Sequence, residues 1–203
     1  MADPGPIEPG LPRLTGRPFP SYRHVPGVTP HPRRHAGGHS RGLPEPREAP
    51  LPPEEWPRDE GYLFAVDLYN HGYWWECHEI LEALWRAAGQ QDSEGGPAPG
   101  DPPRSGGRPQ GRAGRLRQCA GRQDHAEESF FQGLLQVSAA NLKRVAGRRE
   151  GAASLARKGL ARLERFEGIY RGLDVAAFTG EVRAWIAGER DAPPPILLSL
   201  PDE

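Results

Sequence analysis

His78, Glu79 and Glu82, within the run His78-Glu79-Ile80-Leu81-Glu82, are the residues whose types and spacing come nearest to chemistry. A helix stacks His78 and Glu82 one turn apart, where an imidazole and a carboxylate can share a proton, a metal or a ligand. In that reading His78 is a neutral ligand or general base, Glu82 orients it, and Glu79 is a second carboxylate at the pocket rim. The run is not the His-Glu-x-x-His of zinc proteases, because a glutamate stands where the second histidine would be. A carboxylate can take that place, with a third ligand drawn from His31, His35, His39, His71 or His125. One imidazole with carboxylates suits a divalent transition metal such as manganese, iron or zinc, held by His78 and Glu82.

Other residues could complete a pocket. Gln132, Gln136 and Lys143 fall near one line of a later helix, so packing of that helix on the first would bring both glutamines to His78 and Glu82. Trp85, at the edge of the same apolar stripe, is a further ligand-binding candidate. Buried polar groups must be hydrogen-bonded, and each failure costs roughly 1–3 kcal/mol. Such a cluster therefore either satisfies itself, as a His-Glu-Gln network fixing the register of two helices, or binds something. His31 and His39, in Pro30-His31-Pro32 and Gly38-His39-Ser40, are exposed loop residues on composition alone; an arm folded over the domain would carry them into the site.

Several classes are disfavoured. No glycine-rich phosphate loop follows a strand, and no serine stands in a nucleophile elbow, which argues against nucleotide hydrolysis and serine-type acyl transfer. The two cysteines, Cys77 on an apolar stripe and Cys119 in a polar tract, have neither zinc spacing nor the density of a disulfide scaffold, so a reducing cytoplasm is the expected compartment. Neither a leader pattern nor a membrane-spanning run is expected. The net charge of −1 exerts no strong pull on nucleic acid or anionic lipid. A local exception is the acid-free tract containing Arg104, Arg108, Arg112, Arg115, Arg117 and Arg122. It could contact the phosphates of RNA or another polyanion, but it has no aromatics to stack bases, and a solvated linker is the simpler reading.

The elements that must position these residues read as helices. The chain has 203 residues, 24 prolines and 26 glycines, and arginine supplies nearly all its cations, with only Lys143 and Lys158 as lysines. That bias suggests GC-rich coding and one small domain with long irregular segments. Residues 1–57 form a Pro/Gly-rich arm, 58–188 a helical domain interrupted by a low-complexity, disordered insertion at 89–125, and 189–203 an extended Pro-rich tail. Asp59 caps a first helix to about Tyr69, and Asn70-His71-Gly72 breaks it. A second helix, about Trp74 to Ala88, has Tyr73, Trp74, Cys77, Ile80, Leu81 and Leu84 as its apolar stripe, with Glu76, Glu79 and Arg86 pointing the other way. Three more are expected at about Ala126–Val145, Gly151–Tyr170 and, capped by Asp174, through Ile186. The fold class is all-α, a compact bundle of about five helices.

Two stretches carry a resemblance. Asn70-His-Gly-Tyr-Trp-Trp-Glu-Cys-His-Glu-Ile-Leu-Glu-Ala-Leu-Trp85 and Phe130-Phe-Gln-Gly-Leu-Leu-Gln-Val-Ser-Ala-Ala140 resemble the family catalogued as domain of unknown function 309. Its hallmarks, a His-Glu-x-x-Glu-x-x-Trp helix and a helix opening Phe-x-Gln-Gly-Leu-x-Gln, stand at His78, Glu79, Glu82 and Trp85 and at Phe130, Gln132, Gly133, Leu134 and Gln136. The resemblance implies a compact all-helical domain and no established activity. Pro18 to Ser40 also resembles an N-terminal extension of some bacterial members, which implies that Phe19, Tyr22 and Val25 anchor the arm on the domain.

The leading expectation is a small ligand- or partner-binding module built on the His/Glu/Gln cluster. The alternatives are a metal-assisted hydrolase using His78 and Glu82, and RNA binding through the arginine tract. Expected partners are a small ligand, a protein or a further copy of the chain, rather than nucleic acid or membrane.

Overall fold

Two of the helices begin where an aspartate accepts one of the backbone N–H groups that a helix start leaves unpaired. The computed structural model describes residues 10–94 and 112–199, with the backbone alone for 91–94 and 112–125. Helix α1, Glu60–Asn70, is capped by Asp59, whose carboxylate accepts the Tyr62 N–H at 3.0 Å. Helix α2 is Trp74–Glu94, α3 Arg112–Val145 and α4 Arg149–Leu163. Helix α5, Val175–Ala187, is capped by Asp174, which accepts from Ala177 N–H. A short 3-10 helix, Pro53–Arg58, precedes α1 and was not expected. The all-α reading with five α-helices stands, and among the described residues no helix is long and apolar enough to cross a membrane.

Two boundaries differ from the sequence expectation. The fourth helix stops at Leu163 rather than Tyr170, because Ile169–Tyr170 and Leu173–Asp174 pair as a two-stranded antiparallel hairpin. Its tip, Arg171-Gly172, has positive φ at both residues, 48° and 75°, a geometry that matches the twist of paired strands and that no helix tolerates. Helix also enters both edges of the segment 89–125, since α2 runs to Glu94 and α3 starts at Arg112. Gln, Ala and Arg there are good helix formers. Residues 95–111, including Arg104 and Arg108, lie outside the described residues.

The core lies where α2 and α4 both pack on α3 and α1 packs on α2. Tyr62, Leu68, Tyr69, Cys77, Leu81, Leu84, Phe130, Phe131, Leu134, Val137 and Leu163 are buried there. Burial pushes the Cys77 thiol up to about 12, so it is an inert apolar filler. α3 and α4 come close at Gly133 and Gly159: a Cβ on Gly133 would stand 2.7 Å from Leu163 Cγ, and one on Gly159 2.7 Å from the Gly133 carbonyl oxygen.

Arg171 crosslinks the base of the bundle. Its guanidinium bonds Asp59 at 3.0 Å, and also Glu127 and the Leu51 carbonyl, with its side chain wholly buried. Both flanking segments are tied to α1. Asp67 accepts the Leu14 and Thr15 N–H groups and the Thr15 hydroxyl at 2.7–2.9 Å, and Asn70 makes two bonds to the Ile196 backbone. Asn70, read from the sequence as a helix breaker, is thus the clasp of the tail.

Candidate functional site

α2 presents three faces, and each functional side chain belongs to one of them. Trp74, Cys77, Leu81, Leu84 and Ala88 point into the core. His78, Glu82 and Trp85 run along one edge. Trp75, Glu76 and Glu79 lie beneath the arm, residues 19–44, which bends across this face.

His78, Glu79 and Glu82 form a group: each offers one donor atom, and these atoms lie within 4.8 Å of one another. Among the described residues it is the one group of three His, Cys, Asp or Glu side chains meeting that condition. His78 Nδ1 is 3.9 Å from Glu82 Oε2. Arg86 donates to Glu82 Oε1 at 2.6 Å, and Arg33, from the arm, donates through Nε to Glu79 Oε2 at 2.6 Å. These two arginine bonds use one oxygen of each carboxylate, and a carboxylate has about four acceptor directions. Burial lowers the pKa of His78 below its ordinary 6.5, against the upward pull of Glu82 and Glu79 and with a further downward push from Arg86. The imidazole is therefore neutral near pH 7, the form that ligates metals.

The glutamines do not join this group. Arg162 of α4 donates to Gln132 at 2.6 Å and to Gln136 at 3.4 Å. The reason is angular. Ser138, two positions and about 200° beyond Gln136 on a 3.6-residue helix, is the side of α3 that meets α2, its hydroxyl donating to the Trp74 carbonyl at 2.9 Å. Gln132 and Gln136 thus face α4. Trp85 is half-buried and donates its indole N–H to Glu128 at 3.2 Å.

The arm does bring its histidines to α2, but to a different face from His78. His31 and the unpredicted His24 have ring centroids 5.3 Å apart and stand 5.6 and 5.7 Å from Trp75, edge-on, with His39 at 6.4 Å. His39 Nε2 lies 2.9 Å from Glu76 Oε1, and the His24 backbone N–H donates to the same oxygen at 3.0 Å. His31 Nδ1 accepts the Arg33 N–H at 3.2 Å. Of the other third-ligand candidates, His35 is exposed, His71 bonds the Asp67 carbonyl at 2.9 Å, and the His125 side chain lies outside the described residues, as do those of Arg112, Arg115, Arg117 and Arg122.

Glu76 corrects the sequence reading most sharply. Expected to point away from the domain, it is only 5% exposed, because the arm covers it. Its Oε2 has no hydrogen-bond partner among the described residues. Burial raises its pKa, opposed by the bonds from His39 and His24. Burial lowers that of His24, reinforced by its neighbours His31 and His39 and opposed by the Pro30 backbone. Phe19 and Val25 anchor the arm as the resemblance implied: Phe19 stacks on Tyr73 at 4.9 Å and Val25 is buried. Tyr22 is half-buried and meets His39 edge-on at 4.6 Å.

His24, Arg33, Ser40 and Glu76 stand beside these candidates and were not singled out from the sequence. The usable signal was the docked arm, since a covered arm needs polar partners on the face of α2 outside the apolar stripe. No curated protein and no solved structure matches the chain. Residues 62–95, which hold α1 from Tyr62 onward and all of α2 with His78, Glu79, Glu82 and Trp85, match the family model described as Domain of unknown function (DUF309), and to that family this segment belongs.

Proposed function

We propose that this protein is a metal-binding module whose site is His78, Glu79 and Glu82, with a divalent transition metal as its ligand. The carrying observation is that one imidazole nitrogen and two carboxylate oxygens lie within 4.8 Å of one another on consecutive turns of a single helix. A nitrogen and two oxygens suit zinc, manganese or iron. Arg33 and Arg86 would act as outer partners that fix the two carboxylates. Three protein ligands on a half-exposed helix edge leave coordination positions for water or substrate, the condition for metal-assisted hydrolysis. The arrangement of Gln132 and Gln136 on Arg162 gives no support to a cluster shared between α2 and α3.

Titration calorimetry of chelator-treated full-length protein with Zn²⁺ and Mn²⁺ tests this. One site per chain is expected, weakened at least tenfold (about 1.4 kcal/mol) by His78→Ala and by Glu82→Gln, with helix content unchanged by circular dichroism. Equal affinity in wild type and both variants would rule the site out.

A further inference from the structure

A second set of chemical groups lies on the other face of α2. Ser40 Oγ is 2.8 Å from His39 Nδ1, and His39 Nε2 is 2.9 Å from Glu76 Oε1. The His39 and Glu76 side chains are 6% and 5% exposed, Ser40 is half-buried, and all three line one cavity of about 90 Å³. We infer that Ser40, His39 and Glu76 are a nucleophile, its general base and the carboxylate that orients the base, forming an acyl-transfer site for a small ester beneath the arm.

The hydrogen bonds fix the roles. With Glu76 ionised, and so only accepting, the His39 proton is assigned to Nε2, facing Glu76, and Nδ1 is left to accept from the Ser40 hydroxyl. This is the serine–histidine–acid relation recognised by geometry rather than sequence order, with the two ring nitrogens exchanged relative to the usual serine protease arrangement. No nucleophile elbow is needed, because a tight loop delivers the serine. Ser40 N–H donates to the Pro32 carbonyl at 3.1 Å, and the loop closes so tightly that a Cβ on Gly38 would stand 2.1 Å from that oxygen. Packing alone does not account for Glu76: a buried carboxylate oxygen without a partner is costly. Its other oxygen holds both His39 and the arm backbone at His24.

The cavity limits the substrate. It is a small cleft, partly open to solvent, with room for an acetyl- or propionyl-sized group. Arg33, the one Lys or Arg among the residues lining it, is already paired with Glu79, so any help it gives the oxyanion that forms on attack comes from its remaining N–H groups. Ser40 Oγ bonds to the ester carbonyl carbon while its proton passes to His39 Nδ1. The bond to the alkoxy oxygen then breaks, and the alcohol leaves with that proton. Water attacks the acyl-Ser40 ester in turn, His39 takes a proton from it and returns one to Ser40 Oγ, and the carboxylic acid departs. No electrons are exchanged, and water is the only co-reactant.

Full-length protein treated with a small alkyl fluorophosphonate, with and without chelator, tests this by mapping the adduct through tandem mass spectrometry. The expected result is one phosphonyl adduct on Ser40 in wild type, unchanged by chelator. It should be absent from Ser40→Ala and retained in the exposed-serine control Ser154→Ala. Hydrolysis of p-nitrophenyl acetate should fall at least tenfold in Ser40→Ala. Glu76 is a positioning residue, so Glu76→Gln should lower kcat while leaving KM unchanged. No adduct, an adduct on another serine, or labelling abolished by chelator would each overturn the inference. Because the adduct is mapped on the wild-type chain, the result stands even if a variant folds poorly, and the arms with and without chelator separate it from metal at His78, a site that shares Glu79 and its partner Arg33 with this cavity.

Discussion

His24 shows how much the environment of one side chain decides. It is buried against Trp75, with His31 and His39 beside it, Thr29 Oγ1 at 3.1 Å from its Nδ1, and Glu76 on its backbone N–H. Its folded pKa lies below the ordinary 6.5, so the unfolded chain binds the proton more readily. Stability of the docked arm is therefore intact above about pH 6.5 and is lost as pH falls below it, toward the lowered folded value. Glu76 works the other way, its raised folded pKa returning stability as acid protonates it. Proteolytic nicking of residues 24–40 should accelerate several-fold between about pH 7.5 and 5.5, and His24→Asn should flatten that dependence. Because Glu76 titrates in both proteins, the comparison isolates the histidine; identical pH profiles would exclude His24 as the sensitive group.

At the level of elements, small residues decide how closely helices approach. α3 and α4 meet at Gly133 and Gly159 with no room for a side chain. Gly133→Val should destabilise the protein by about 1–3 kcal/mol through overpacking, read as a lower denaturant midpoint with unchanged slope; a change within experimental scatter would show that Leu163 can move aside. The helices themselves were largely legible. Asp59 and Asp174 stand before amphipathic runs as cap residues do, and both make the cap bonds their positions suggest. The apolar stripe of α2 is the core face. Illegible were the features that depend on what covers what. Periodicity separates a core face from the rest but cannot know that a non-periodic arm covers Glu76. Nor does it say which neighbour claims a polar stripe, so Gln132 and Gln136 of α3 were expected to meet α2 when their partner is Arg162 of α4. The hairpin at Arg171 was hidden because a non-glycine residue adopts positive φ there, held by its buried bonds to Asp59 and Glu127.

Across the whole molecule, the two candidate sites share α2 but differ in how they are assembled. His78, Glu79 and Glu82 come from one helix, whereas Ser40, His39 and Glu76 exist together only while the arm is docked. The attachments that keep it there are unevenly distributed. Asp67 holds the arm at Leu14 and Thr15, and Asn70, less than one turn further along α1, holds the tail at Ile196. Mechanically, α1 is a buckle. Tension on the tail is met first at the hairpin, where Ser199 N–H donates to the Gly172 carbonyl at 2.8 Å and Leu198 bridges Leu173, and then at Asn70, within one helical turn of the Asp67 that holds the arm. Pulling on the two ends in a force spectrometer should release the arm and tail first, as short extensions at low force, with the core unfolding in a separate later event; Asn70→Ala should lower the force of the tail step, which Leu198 and Ser199 still hold, and leave the arm step unchanged. A protein strained from outside would thus lose its arm-dependent site while keeping the helix that carries the other.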